Sequence, residues 1–411
     1  FGVHHSIADA TGLILDTPLG TVVHTGDFKI ETDPCDGQRF DRARLEELGR
    51  SGVRLLLSDS TGAEVDGRSR LEKDAEIGLR DCVTGARHRV VVATFSSNAF
   101  LLRAALHIAR ELGRQVCLLG FSVNKHTETA RELGLIPPID TLLVSPDEVD
   151  SLPREQVMII AGGTQGEARS SLTRLARDEH SQVHLEDGDT VVFSSRIIPG
   201  NELGVFDVIN RFERRGLEVI TRRERPEVHA SGHGSREEQR EMIQLLRPEA
   251  FVPVHGTHHH QRRHLELARE EGIQQTALVE NGGVLELTPD ALAVRGSVPV
   301  GRVFIDGKTP LSDELMEERR AMGAGGLVSL WLSLRSGRLR EPPEVSSWGV
   351  FENASRRRTE QKIAEHVRNR LKSRHFDARE DAEDAAIEAA RRFLMHNHRR
   401  RPFITADADG E

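Results

Sequence analysis

Residues 228–256 read VHASGHGSREEQREMIQLLRPEAFVPVHG, and they place His229, His233 and His255 at the two ends of one loop, helix and strand. Ser235 followed three residues later by Glu238 is a capping box, and Met242, Ile243 and Leu246 give the helix behind it an apolar stripe. Arg247-Pro248 stops that helix. After Glu249, the segment Ala250-Phe-Val-Pro-Val-His255 is short, apolar and β-prone, with Gly256 immediately after. The stretch therefore predicts an α/β protein with His255 at the C-terminal end of a strand, where open α/β sheets hold ligands.

Working outward, the N-terminal part repeats this placement of polar groups. Two apolar runs flank Thr17-Pro18-Leu19-Gly20 and read as a β-hairpin that carries Asp27, beside Gly26, toward His5. Taken alone, that pair reads more readily as a surface histidine and a turn aspartate. Residues 40–48 read as a helix and 53–58 as a buried strand ending at Asp59. A charged helical region over 62–88 leads to a strand at 89–94. Ser97-Asn98 then caps a helix with apolar Leu101, Ala104, Ala105 and Ile108, and residues 115–119 form the next strand. Residues 89–119 are thus a βαβ unit. Strands at 157–161 and 190–195 each lead through a polar loop into a helix, at 168–180 and 203–215. Such loops suit phosphate. The Gly-rich turn at 162–167 is neither a Walker loop nor a GxGxxG turn, and each loop alone is more often ordinary turn chemistry.

Past His255, the run His258–His260 with His264 opens a polar helix over 261–271 that reads as a solvated face. Short strands are expected over 276–305. Composition then shifts, with a strand at 326–334, helices at 359–372 and 381–396, basic clusters at 356–358 and 399–401, and an acidic tail. These basic clusters read as solvated faces, with RNA contact or a dimer surface as the minority reading.

With 411 residues, 37% hydrophobic and 29% charged, the chain has material for two or three cores. Its net charge of −9 argues against a generally basic coat, so a path for nucleic acid must be a local basic groove. Cys35, Cys82 and Cys117 are odd in number and far apart, which excludes a disulfide framework and a CxxC site and leaves them as small core residues. There are 19 histidines and no tyrosine. No run of about 18 apolar residues occurs. A cytoplasmic protein without membrane association is expected.

The segments His4-His5-Ser-Ile-Ala-Asp9, His24-Thr-Gly-Asp-Phe-Lys29, Ser58-Asp-Ser-Thr61, Ala93-Thr-Phe-Ser-Ser-Asn98, Gly163-Thr-Gln-Gly-Glu167, Ile198-Pro-Gly-Asn-Glu202, His229-Ala-Ser-Gly-His-Gly234 and Pro253-Val-His-Gly256 together resemble the ribonuclease J family of β-CASP metallo-β-lactamase nucleases. The resemblance implies a metallo-β-lactamase αββα sandwich interrupted by a parallel α/β β-CASP domain, with a small α+β C-terminal domain. Limits follow at 1–65 and 236–307 for the sandwich, 66–235 for the insertion and 308–411 for the last domain. It implies a zinc-dependent ribonuclease, a 5′→3′ exonuclease preferring 5′-monophosphate ends with endonuclease activity in some members. Two Zn²⁺ are expected, with Mn²⁺ or Mg²⁺ as substitutes. RNA, a homodimer through the C-terminal domain and an RNA-decay complex are the expected partners.

By the same resemblance, His5, Asp27 and His255 are metal ligands, with Asp27 bridging. His233 assists proton transfer and Asp59 orients it. His229 and Ser231 clamp an RNA phosphate, and Ser97 and Asn98 lie near the pocket for the 5′ end. A carboxylate beside an imidazole favours the protonated form that a general acid needs. The family's HxHxDH motif does not occur in this sequence, which begins Phe-Gly-Val. The expectation is that an N-terminal segment is absent and that the chain alone is inactive or unstable. Thr257 stands where the family often has glutamate, which bears on the groups behind the ligands. A DNA-processing or mRNA 3′-end endonuclease, and a non-catalytic RNA-binding scaffold, are the alternatives.

Overall fold

A computed structural model describes residues 1–409 and divides the chain into two units, Phe1–Pro299 and Val300–Glu411. In the first, the strands are β1 (Leu13–Thr17), β2 (Gly20–His24), β3 (Val53–Asp59), β4 (Val90–Thr94), β5 (Gln115–Leu119), β6 (Val157–Ala161), β7 (Thr190–Ser194), β8 (Glu218–Ile220), β9 (Ala250–Val254) and β10 (Gln275–Thr276). A hairpin of β11 (Gly283–Leu287) and β12 (Leu292–Ser297) follows. The helices are α1 (Arg42–Ser51), α2 (Glu72–Gly85), α3 (Ala99–Glu111), α4 (Phe121–Glu132), α5 (Ser171–Ala176), α6 (Glu202–Arg214), α7 (Arg236–Leu246) and α8 (His258–Glu270).

The strands form two five-stranded sheets among the described residues. One runs β1-β2-β3-β9-β10 and is antiparallel only between β1 and β2. The other runs β5-β6-β4-β7-β8 and is parallel throughout. The chain leaves the first sheet after Asp59, builds the second, and returns for β9. Hence β3 and β9 are hydrogen-bonded neighbours, with Asp59 opposite Val254, although the whole second sheet separates them in sequence. This crossing brings Asp59 beside His255.

Strands of the second sheet are near-continuous apolar runs because both faces are buried. Val90, Val92, Met158 and Ile160 pack with Leu79 of α2 and Leu102 and Ile108 of α3, while Val91, Ile159 and Phe193 pack with Leu172 of α5 and Val205 and Phe212 of α6. In the first sheet Val23, Val53, Leu56 and Phe251 meet Leu45 of α1, Met242 and Leu246 of α7 and Leu267 of α8. The opposite face, with Leu55, Ala250 and Val252, is met by Leu285, Leu287 and Leu292 of the hairpin. Full burial of each such side chain contributes roughly 1.5–3 kcal/mol.

Local signals account for the ends of these elements. Asn98 caps α3 by accepting from the Leu101 amide at 3.0 Å. In α7, Ser235 and Glu238 form the capping box, and Arg247 closes the helix in a left-handed conformation, φ 45°, one residue before Pro248. Helix α5 is shorter than the span 168–180 predicts. Helix α4 carries only a thin buried stripe of Val123, Thr127 and Ala130, and its sequence period is correspondingly weak.

The second unit is α+β. Strand Leu327–Arg335 lies between Glu344–Trp348, antiparallel, and Phe403–Asp409, parallel, and Val328, Leu330 and Leu332 pack on Ile363, Val367, Ala386 and Leu394 of helices Asn353–Leu371 and Arg379–His398. The acidic ending expected as a tail is therefore a strand, held because alternate residues Ile404 and Ala406 are buried. Cys82 and Cys117 are buried core residues, whereas Cys35 is half-buried, and none is bonded to another. No helix among the described residues is long and apolar enough to cross a membrane.

Candidate metal centre

Two strand ends and three loops converge on one cluster. Asp27 lies three residues beyond β2, past Gly26 in a left-handed turn at φ +63°. His255 follows β9 directly and is itself left-handed at φ 60°, a conformation that costs a non-glycine residue about 1–2 kcal/mol. His5 arrives from the N-terminal loop against Gly232, where an added Cβ would sit 2.6 Å from the imidazole. The His5 Nδ1–H donates to the Gly232 carbonyl at 2.7 Å, which leaves the Nε2 lone pair 3.9 Å from Asp27 Oδ2, with the Ser6 hydroxyl 3.5 Å away as its donor. His255 Nε2 is 3.8 Å from the same oxygen.

The His233 ring stands between these two, its centroid 4.9 Å from His5 and 5.5 Å from His255. Its Nδ1 is bonded to Asp59 Oδ2 at 2.6 Å. Asp59 is 1% exposed, and its Oδ1 accepts from the Thr61 amide at 3.0 Å and hydroxyl at 2.8 Å. Burial pushes the Asp59 carboxyl up, but the hydrogen bond and charge of His233, with Thr61, hold it down at about 2. Reciprocally, burial lowers His233 while Asp59 more than offsets it, so the imidazole titrates above its ordinary value. Burial pulls His5 down, only partly opposed by the Gly232 carbonyl, which favours the neutral ring that binds metal.

The donor set fits a cation. Donor atoms of Asp27, Asp59, His233 and His255 all lie within 4.8 Å of one another. Two ligands of one zinc at 2.0–2.2 Å are separated by at most roughly 4.3 Å, a limit that Asp27 meets with both His5 and His255. Asp59 and His233 Nδ1 are committed to each other and to Thr61. The donors left for a cation are Asp27, His255 and His5, whose Nε2 has only the Ser6 hydroxyl at 3.5 Å, while Asp59 favours a proton on the His233 ring.

Around the cluster, His229 has a buried Nδ1 without a hydrogen-bond partner. Burial, with Arg222, Lys29 and Arg196, pushes its pKa down to about 4. The Ser231 hydroxyl accepts from the His233 amide at 3.1 Å. Ser97 and Asn98 are not drawn into the cluster, and Asn98 Oδ1 is spent on the α3 cap. Phe100, on the first turn of α3, nevertheless lines the small cavity that His5, Lys29 and Glu72 share.

Sequence reading missed two supports of the site. Glu238, fully buried, accepts from the Ile30 amide at 3.0 Å, the Ser69 amide and hydroxyl at 2.6 and 2.7 Å, and the Ser235 amide at 2.8 Å, tying the Asp27 loop to the segment that follows His233. Buried Lys29 pairs with Glu31 at 2.5 Å and Glu72 at 2.8 Å, and the two carboxylates keep it charged against the pull of burial. The capping box signalled Glu238 as a cap. Nothing local signalled its longer reach.

The histidine run of α8 is a solvated face only at His258 and His259, which are exposed. His260 is 7% exposed and His264 0%, on the side that Leu267 and Ala268 share, since positions three and four apart lie together on a helix. His264 Nδ1 lies 3.2 Å from Ser60 Oγ, the ring packs edge-on against Phe251, and burial holds its pKa near 3. Thr257 caps α8, its hydroxyl accepting from the His260 amide.

Residues 87–212 match the family described as "Ribonuclease J, beta-CASP domain", and residues 222–278 that described as "Zn-dependent metallo-hydrolase RNA specificity domain". The second description implies a metal cofactor, in agreement with the donor set. The chain is similar to Ribonuclease J 1 of Streptococcus pyogenes serotype M3, 33% identical over 98% of this chain and 73% of that protein. It is 35% identical to Ribonuclease J of Corynebacterium glutamicum over 86% of this chain and 50% of that protein. For Ribonuclease J of Sinorhizobium meliloti the identity is 40%, over 82% of this chain and 59% of the relative. The chain thus spans between 50% and 73% of the length of these relatives.

Proposed function

Because the chain belongs to the ribonuclease J family, we propose that its protein hydrolyses RNA phosphodiester bonds with a divalent metal held by His5, Asp27 and His255. The observation that carries this reading is the meeting of those three side chains with the Asp59–His233 pair, from opposite ends of the first unit. Zinc, as a pair of ions, is the metal we assign, with manganese or magnesium able to replace it. A bound ion of this kind lowers the pKa of water and neutralises charge on a phosphoryl oxygen. His233, kept protonated by Asp59, donates its Nε2 proton to the leaving 3′-oxygen. Neutral His229 and the Ser231 hydroxyl hold a neighbouring phosphate by hydrogen bonds. Ser97 and Asn98, beside Phe100, are assigned to the approach for the 5′ end.

We assign residues 66–235 to the inserted β-CASP domain, 1–65 and 236–307 to the metallo-β-lactamase domain and 308–411 to the C-terminal domain. A 5′→3′ exonuclease preferring 5′-monophosphate ends, cytoplasmic, dimeric through the C-terminal domain and working in RNA decay and maturation is the full reading. The test compares turnover of 5′-monophosphate RNA, 5′-triphosphate RNA and single-stranded DNA by the metal-loaded full-length protein. RNA with a 5′-monophosphate should turn over fastest. A preference for DNA overturns the proposal.

A further inference from the structure

The first unit carries a second concentration of cations outside the metal cluster. The segments following β7 and β8, with one face of α6, enclose a cleft of about 460 Å³ whose lining includes Arg196, Phe206, Asn210, Thr221, Arg222 and Arg223. It opens at the C-terminal ends of parallel strands, the usual ligand side of such a sheet. Phe206 is 48% exposed there and offers an uncovered aromatic face. Arg70, from the loop before α2, joins the group. Burial, then the like charges of Arg196 and Arg70, pull Arg222 below its ordinary value. Among the described residues no carboxylate is paired with Arg70, Arg222 or Arg223, and Arg196 has only Glu64, at 3.8 Å. Glu224, at the same rim, is folded back onto the Thr221 amide at 3.1 Å.

Four arginines outnumber the nearby carboxylates Glu213 and Glu224 of the lining and Glu64 beside Arg196, and on a chain of net charge −9 this local excess of positive charge points to an anion. The cleft also adjoins the site. Ser194, two residues before Arg196, donates its hydroxyl to the Val228 carbonyl at 2.5 Å, and Val228 precedes His229.

We propose that this cleft is a nucleotide subsite for single-stranded RNA, with a base stacked on Phe206 and the flanking phosphates on Arg222 and Arg196, adjacent along the strand to the phosphate at His229. The subsite rests on the ribonuclease reading and adds binding, not chemistry. Stacking suits an unpaired strand because every base offers a π-face, and arginine supplies the backbone contacts.

The test measures fluorescence anisotropy of a single-stranded 5′-monophosphate RNA on the metal-loaded full-length protein, in a His233→Ala background that prevents turnover, across a salt series. Arg222→Ala and Arg196→Ala should each weaken binding about tenfold and reduce the slope of log affinity against log salt by about 1. Arg222→Lys should keep the slope. Phe206→Ala should weaken binding about tenfold with the slope unchanged. Arg50→Ala, which removes an equal charge from α1, should change neither. Melting temperatures check that each variant is folded. The subsite is overturned if the RNA binds but Arg222→Ala and Phe206→Ala match the background, or if Arg50→Ala reproduces the arginine effect. Absence of RNA binding by the background protein overturns the ribonuclease reading as well.

Discussion

In its proposed role as acid, His233 acts only while it holds its proton, and Asp59 sets the pH range in which it does. Their 2.6 Å bond raises the imidazole and lowers the carboxyl together. The protonated imidazole is fully present below its ordinary pKa and is lost as pH rises through the raised folded value, so activity should fall on the alkaline side. Asp59→Asn should move that alkaline limb to lower pH and reduce kcat/KM by about 10²–10⁴, as a pH profile would register. An unmoved limb would remove His233 from the acid role. His264 works in the opposite sense. Its folded pKa, near 3, lies below its ordinary value, so folding favours the neutral ring and stability present above about pH 6.5 is lost as the solution is acidified. By pH 5 the loss should be roughly 2 kcal/mol. Urea midpoints at neutral pH and pH 5 should show it in the wild type and much less in His264→Gln. An equal acid loss in both would assign it to other groups.

Helix α7 organises the loops around the proposed metal site because its buried first-turn carboxylate holds three of them. Glu238→Ala would leave the amides of Ile30, Ser69 and Ser235 without their acceptor, at about 1–3 kcal/mol for each buried donor stranded. Retained metal should then drop after dialysis against a weak chelator, with Glu238→Gln intermediate, and elemental analysis would read the difference. Undiminished metal in Glu238→Ala would reduce Glu238 to a helix cap. Elements such as α7, β5, β6 and β9 were legible in the sequence because their signals are local: a cap, a stop and apolar runs buried on both faces. Strand Phe403–Asp409 was not, because its acidic residues hide an alternation that only its neighbour Leu327–Arg335 makes meaningful. His260 and His264 were misread for a related reason, since their residue type suggested water while their period suggested the core.

At the scale of the first unit, the architecture is a device for bringing distant positions together. β3 and β9 pair across the insertion of a complete parallel sheet, and the loop after β2 closes over their ends. The residues that meet there, His5, Asp27, Asp59, His233 and His255, were all legible from their motifs. The order in which they meet was not, because the pairing of β3 with β9 depends on contacts far apart in the chain. The same limit hid Lys29, Glu31 and Glu72, whose charges make sense only when buried together. The most direct test is cleavage of 5′-monophosphate RNA by metal-loaded full-length protein before chelation, after chelation and after zinc is restored, in wild type and in His255→Ala. Wild-type activity should vanish with the metal and return with it, while His255→Ala should stay at least a hundredfold lower throughout, of the order expected when a catalytic metal site is broken. Cleavage that survives chelation, or a His255→Ala protein as active as the wild type, would contradict the metal centre itself.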